Sequence, residues 1–497
     1  MTITLEDLEK ANKIHKPSGA DEEWRRAAAY YYDTSRPLTV ELLSRLGLGM
    51  KNDGRPLEVG IMQRIIEEQA VIYDSPPARY LVRNRQRLAE DSPEVVAMGE
   101  AYEASGVDLV LREADRLRAL YRQVFVRLYP VHETETVTPR LFPPQNVRRI
   151  PNPSTPDIIS TSRAVALLLE GEPGKDGELW EVWTNLGGSW SMRWVAHKDA
   201  VAWDPGEAVR YARLPMLAMW DREPCGMPWL PPRQSRNAFV EKLAQSAAEL
   251  QVMVQLEAHD QTVVETDDPR DVPREGGPGT TWALPRGSNA QILSRNPKIR
   301  DAIEVMREQL KLLVLSESLP LGLFDDQRQV VTGAALRVQL GPLEDRRTAQ
   351  APLAIRDERE LWKIYVAEHN DHAASWGKDV LAADTTMDVE LADLNVPIDP
   401  REAQQASASA IALGTRSVID VIQAEHRCTR PQALRVYERV KADLVSYPPP
   451  SNAGAQIEGP RLAGVERGPE APSVLPVGRL DQGGKPSVLQ NVQGLAQ

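Results

Sequence analysis

Cysteine is nearly absent from this chain of 497 residues. Only Cys225 and Cys428 occur, far apart in sequence. That excludes a disulfide scaffold or a cysteine-built zinc site and predicts a reducing compartment. Long apolar runs are also missing. Nothing approaches the ~18 consecutive apolar residues that a membrane helix needs, so no membrane partner is expected. The opening MTITLEDLEKANK is acidic and polar and predicts no secretory signal. Basic clusters are lacking too, and the net charge is −12. A tight nucleic-acid binder would carry such clusters to neutralise phosphates. An acidic surface past which DNA slides without sticking stays compatible with this charge.

The motifs of catalysis are missing as well. There is no G-x-S-x-G, no H-E-x-x-H, no Walker A and no dinucleotide fingerprint. Gly276-Gly277-Pro278-Gly279 superficially resembles a phosphate loop but lacks the Lys-Ser/Thr that such a loop needs. The seven histidines are scattered. Only His369 and His372, in EHNDH beside Glu368 and Asp371, have helical ligand spacing. They support one alternative, a metal-dependent hydrolase using His369 and His372. The plainer reading is a polar helix end in solvent, with no metal site, no catalytic residue and no cofactor.

What is present is an ordinary globular composition, 42% hydrophobic and 26% charged, long enough for several subdomains. The centre of the chain is a helix–loop–helix. Ile299, Ile303, Met306, Leu310, Leu313 and Val314 recur at spacings of three and four over residues 297–317, after a start signal at Asn296-Pro297. Pro320 and Gly322 stop that helix. A polar loop follows with Gln327, Arg328, Gln329, Thr332 and Gly333, then a second helical run from Ala334 to about His369, with a kink expected at Gly341-Pro342. Arg337, Arg346, Arg347 and Arg356 to Arg359 alternate with acids, which reads as a solvated, ion-paired face. Leu361, Trp362, Ile364 and Tyr365 would dock this helix.

Upstream, residues 20–100 read as helical. Trp24 and Tyr30-Tyr31-Tyr32 form an aromatic anchor rather than a binding site, and Val59, Met62, Ile66 and Ala70 share one helical face. A helix over 98–120 includes Leu109, Leu111 and Leu117. Residues 121–220 are β-prone, with strands at 121–129, 164–169 and 214–220 and a hairpin of 179–184 with 189–195 around Asn185-Leu186-Gly187-Gly188. Trp180, Trp183, Trp190 and Trp194 there fill a small core more readily than they form a stacking face. After the Pro-rich Asp221–Pro232, Phe239, Leu243, Ala247, Leu250 and Val254 mark a helix from Ser235. Residues 260–295 form a Gly/Pro-rich insert with short strands at 280–284 and 290–293. A strand is expected at 387–391. Helices follow at 401–414, 416–425 and from Thr429 to about Leu444, and then a disordered tail.

The order helix, small insert, helix, polar loop, long helix, helical cap resembles the portal proteins of tailed bacteriophages and related prophage or gene-transfer particles, over about residues 20–447. The last helices, with GTRSVIDVI and TRPQALRVYERV, resemble the portal crown best. The resemblance implies an α+β, mainly helical fold with wing, stem, clip and crown. Its divisions are 1–232 for the N-terminal wing, 233–259 and 296–318 for the two stem helices, 260–295 for the clip, 319–333 for the tunnel loop, 334–399 for the long wing helix and return, 400–447 for the crown and 448–497 for the tail. It implies a homo-oligomeric ring of twelve subunits at the portal vertex of the capsid, assembled in the host cytoplasm, with no enzymatic activity. The implied partners are the major capsid protein, the terminase large subunit, a head–tail adaptor and double-stranded DNA in the channel. Gln327, Arg328, Gln329 and Thr332 would touch that DNA.

Overall fold

The computed structural model describes residues 3–34, 60–171, 173, 176–196, 201–203, 211–258, 262–265, 281–284, 299–320, 333–391, 400–426 and 430–446. The fold mixes helices and sheets, with long helices at its centre. It begins with α1, Leu5–His15, started by a capping box in which Thr4 accepts from the Asp7 amide and Asp7 accepts from the Thr4 amide. This helix is not among the expected elements, although Thr4 and Asp7 carry its start signal.

The next helices are α2, Ala20–Tyr31, and α3, Ile61–Gln69. The expected helix over 98–120 is instead two, α4 at Pro93–Ser105 and α5 at Val107–Tyr121. Gly106, at φ 62°, separates them. Only glycine adopts this left-handed conformation at little cost, so a single residue ends one helix and starts the next. Leu111 and Leu117 are buried, but Leu109 faces solvent. The helix also claims Tyr121, which had been assigned to a strand; the chain turns at Arg122 before β3.

Between α3 and α4 run β1, Ala78–Arg83, and β2, Gln86–Arg87. The middle of the chain builds β3 (Gln123–Val131), β4 (Thr136–Phe142), β5 (Val147–Ile150), β6 (Ala164–Glu170), β7 (Leu179–Asn185), β8 (Trp190–Ala196), β9 (Val201–Trp203) and β10 (Met216–Trp220). One antiparallel sheet has the order β5-β6-β7-β8-β9 and another the order β10-β3-β4. The hairpin of β7 and β8 forms as its turn residues predict, with Asn185 opposite Trp190.

Alternation along β6 and β7 explains how the five-stranded sheet is covered on both faces. Ala164, Ala166, Leu168, Trp180 and Val182 pack with Leu5 and Leu8 of α1. Val165, Leu167 and Trp183 join the main core. Trp180, Trp183 and Trp190 are buried, whereas Trp194 is partly exposed, so the cluster is mostly core. Trp24 is likewise buried, packed on Trp229 with the Lys16 ammonium 4.5 Å above the Trp229 ring. Tyr30 and Tyr31 are buried beside it, which suits an anchor.

The stem-like helices are α6, Gln234–Ala258, and α7, Ile299–Ser316. Of the insert between them, the described residues are β11, Thr262–Glu265, and β12, Thr281–Leu284, which pair in parallel. β11 was not expected, and the strand expected at 290–293 lies outside the described residues. Then comes α8, Gly333–Trp376, one helix of 44 residues that runs through both Pro342 and Pro352. The helical run expected from Ala334 to about His369 is therefore continuous across Gly341-Pro342, where a kink was expected, and extends to Trp376. Each internal proline removes a backbone hydrogen bond, but Leu343, Leu353, Ala354, Leu361, Trp362, Ile364 and Tyr365 are buried along its length. That packing outweighs the local cost.

After α8, β13 at Thr386–Glu390 completes a third sheet in the order β13-β1-β2. The last helices are α9, Pro400–Ala412, α10, Val418–His426, and α11, Arg430–Ser446. Ser417 and Asp420 cap α10 reciprocally. Thr429, the expected cap of α11, lies outside the described residues, as does the tail from 447.

The charges of α8 depart from the solvated face expected of them. Asp357 and Glu358 are both buried. Arg79 closes on Glu358 at 2.6 Å, while one carboxylate oxygen of Asp357 has no hydrogen-bond partner. Three turns on, buried Glu368 also keeps an unpaired oxygen. Burial pushes the Glu368 carboxyl up to about 7, and Arg127 only partly opposes it. Burial raises Asp357 to about 7 as well, against Arg356 and Arg118. A carboxyl with a raised folded-state pKa favours the folded state while protonated. Its contribution is complete below the unfolded pKa and is lost as pH rises toward 7. Glu368→Gln should therefore raise stability at pH 8 by roughly 2 kcal/mol and bring no gain at pH 4, as read from denaturant unfolding at both pH values.

Candidate functional site: a helix pair and its buried root

Helices α6 and α7 pack against each other, and each is buried mainly at one end. Along α6, Val240, Leu243, Ala247 and Ala248 are buried but Val254 is exposed. Along α7 the order reverses: Val305 is exposed and Leu313 and Val314 are fully buried near the end. The pair is therefore an antiparallel hairpin with a buried base and an open distal half. A 25-residue helix such as α6 is about 37 Å long. Ile303, Val305, Leu312 and Leu315 leave apolar surface exposed on more than one side of α7. A groove of about 580 Å³ follows α7, lined by Ile299, Arg300, Ile303, Glu304, Arg307 and Lys311, with Glu308 at its margin.

The base is held by charge. Arg233, one residue before α6, reaches Glu317, one residue after α7, at 2.6 Å. Its other terminal nitrogen lies 3.1 Å from Asp221, one residue after β10. Arg122, between α5 and β3, bonds the same Asp221 oxygen at 3.2 Å. Gln69, the last residue of α3, donates to the Glu317 carboxylate at 2.9 Å and to its carbonyl at 3.0 Å. Gln350 of α8 donates to the Asp221 carbonyl. Two carboxylates thus connect α3, α5, β10, α6, α7 and α8.

Local backbone geometry brings these residues together. Arg122 sits at φ 72°, a left-handed conformation costly for a side-chain-bearing residue. Its carbonyl accepts the Asp221 amide, and its guanidinium donates to Asp221 and to the Pro231 carbonyl. Ser318, at φ 57°, ends α7 in the same way, and the Leu319 amide returns to the Val314 carbonyl.

Electrostatically the root is cation-rich. Burial works against the charge of Arg233, but Glu317 and Asp221 outweigh it and raise its pKa. Arg236 is fully buried; its two terminal nitrogens donate to the Ala119 and Leu120 carbonyls, and its Nε has no hydrogen-bond partner. Burial lowers its pKa to about 9, with Glu317 opposing. Arg346, which the sequence placed on a solvated face, has two buried guanidinium nitrogens without partners, and burial holds it near 10. None of Asp221, Arg233, Glu317 or Arg236 was singled out from sequence. The only signal was that an acid and a base sit immediately beside each helix end.

The expected DNA-contacting residues Gln327, Arg328, Gln329 and Thr332 lie outside the described residues. His369 and His372 are described. His369 Nε2 lies 3.1 Å from the Asp379 carbonyl, so that nitrogen is engaged. The His372 ring stacks on Trp376 and meets His132 edge-on at 5.6 Å between centroids. Burial lowers the pKa of both histidines. Among the described residues no group of three histidine, cysteine or acidic side chains could hold a metal, and no helix is long and apolar enough to cross a membrane. The arrangement binds and positions helices; nothing in it assembles a nucleophile with a base.

Removing one member of this root leaves buried partners uncompensated. Asp221→Ala should cost about 3 kcal/mol or more, because Arg122 and Arg233 then lose their shared anion. Glu223→Ala, which breaks only the exposed pair with Arg356, should cost less than about 1 kcal/mol. Thermal unfolding of the two variants side by side checks the contrast.

No family model matches this sequence, and no curated protein does. Among solved structures, the chain is similar to a chain from the neck of an empty gene transfer agent particle, at 11% identity and a TM-score of 0.38. That match covers 77% of this chain and 91% of the other. It is also similar to a chain from the virion of a native gene transfer agent particle, at 13% identity and a TM-score of 0.36, with the same coverage of both chains.

Proposed function

We propose that this chain is a portal protein: a subunit of a ring-shaped channel at one capsid vertex through which double-stranded DNA is packaged and ejected. The observation that carries the reading is the rooted helix pair. A helix such as α7, with apolar residues exposed on several sides and only its base buried, gains stability if neighbouring copies cover it. Rotational repetition of one heterologous contact covers every copy equally and closes without free ends. The distal halves of α6 and α7 would then form the wall of a hole.

On this reading residues 319–333 form the tunnel loop, with Gln327, Arg328, Gln329 and Thr332 touching DNA. A few polar contacts per subunit, repeated around a ring, grip the duplex without reading its sequence, since phosphate contacts carry no sequence information. The net charge of −12 suits a conduit that DNA must leave again. Residues 260–295, with their small parallel strand pair, would be the clip that docks the terminase large subunit and later a head–tail adaptor, while the wing meets the major capsid protein. The protein does no covalent chemistry. The hydrolase alternative gains no support from His369, whose Nε2 faces a backbone carbonyl.

Light scattering of the purified protein, followed by negative-stain microscopy, tests the reading. The expected result is a particle of about twelve subunit masses with a stained central hole. The same ring should persist in Arg328→Ala, with altered DNA retention in a packaging assay. A compact monomer at all concentrations, inactive in packaging, would contradict the proposal.

A further inference from the structure

Far from the root, the third sheet carries a local conflict between sequence and backbone. Arg83 pairs with Gln86, so Asn84 and Arg85 alone form the turn between β1 and β2. Both have positive φ, 52° and 66°. Two-residue turns of this kind favour Asn-Gly, because the second position also needs the left-handed conformation. Asparagine fits the first position. Arginine at the second is strained, and a glycine would relieve it.

Arg85 is not held there by a partner. It is exposed, and among the described residues it makes no hydrogen bond or ion pair. It lines a groove of about 430 Å³ between the hairpin and α8, together with Arg87, Arg359, Lys363, Met387 and Asp388. The other cations are already engaged: Arg87 and Arg359 share Asp388, Arg87 also takes Glu390, and Lys363 meets Glu360 at 3.5 Å. Arg85 is therefore the unspent cation of a groove lined by four cations and one anion. A cation kept at a conformational cost, with no ion-pair partner among the described residues, points outward to a ligand.

We propose that this groove binds an acidic peptide segment of a partner protein, with Arg85 as its principal contact. Charge complementarity selects an acidic occupant. The rim selects peptide over nucleic acid. Glu390 and Glu360 pair with the groove cations Arg87 and Lys363, and Asp384 pairs with the neighbouring Arg83, so carboxylates stand close beside the groove. Such a rim repels a continuous phosphate backbone but admits separate carboxylates that each meet one guanidinium. The inference does not depend on the ring, because all of its residues belong to one chain.

The test uses fluorescein-labelled hexaglutamate and, in parallel, a labelled short DNA duplex, titrated by anisotropy against the full chain and two variants. Hexaglutamate should bind the unmodified protein and weaken with salt, and duplex should bind less tightly. Arg85→Gly should raise the melting temperature by roughly 1–2 °C and yet weaken hexaglutamate binding by roughly fivefold or more. Arg85→Lys, which keeps the charge, should retain most of the affinity. The proposal is overturned if hexaglutamate does not bind, if Arg85→Gly binds it as well as the unmodified protein does, or if the duplex is the tighter ligand and is the one lost in Arg85→Gly.

Discussion

The architecture depends on one buried junction, where Asp221 and Glu317 are held between Arg122, Arg233 and Gln69. Every element that enters or leaves the helix pair passes this point. The chain leaves β10 at Asp221, enters α6 just after Arg233, and leaves α7 at Glu317. A junction of ions rather than apolar side chains has a consequence. Apolar contacts tolerate sliding, whereas paired, hydrogen-bonded charges in a low-dielectric setting favour one register. The positions of α6 and α7 relative to α3, α5, β10 and α8 are thereby set by donors and acceptors at their bases.

Stability is graded outward from that junction. The sheets and the helices packed on them bury large side chains such as Trp24, Trp180, Trp183, Trp229 and Trp362 completely. The helix pair loses burial with distance from its base, and the last helices expose Leu413, Val418 and Val440. Local opening free energies follow burial, so the distal pair and the terminal helices form the yielding parts of a rigid body. This distribution suits an assembly in which neighbouring copies complete what one chain leaves open. Helix α8 carries its own strains, with unpaired buried carboxylate oxygens and two internal prolines. A dense aromatic and aliphatic interface holds that helix in place despite them.

Much of this was legible in the sequence. Period and punctuation gave α6, α7, the hairpin of β7 and β8, β10, β13 and the three terminal helices nearly at their observed bounds. Local misses have local causes. Gly106 divides a helix whose apolar pattern continues across it. Arg122, a residue type with no turn signal, makes the corner before β3. The apolar pattern carried the reading of α8 across Pro342 as one helix, but it placed the end near His369, seven residues short of Trp376. The larger miss concerns charge. Arg346, Asp357 and Glu358 alternate in sign as a solvated face does, and periodicity alone does not reveal that strands of two sheets, β10-β3-β4 and β13-β1-β2, pack against this helix. The root was invisible for the same reason: its members lie far apart in sequence, and only the fold joins Gln69 to Glu317 or Arg122 to Asp221. Arg85 was invisible because the conflict exists only once Asn84 and Arg85 are known to form the turn.

The central claim is that the open half of the helix pair is completed by other copies of the chain while its base is complete in one copy. Hydrogen exchange read by mass spectrometry, on the assembled and dissociated protein, tests this most directly. Amides near 313–317 and 236–243 should be protected in both states, and those near 299–306 and 250–258 should gain protection only on assembly. Equal exchange of the distal segments in both states would contradict the claim.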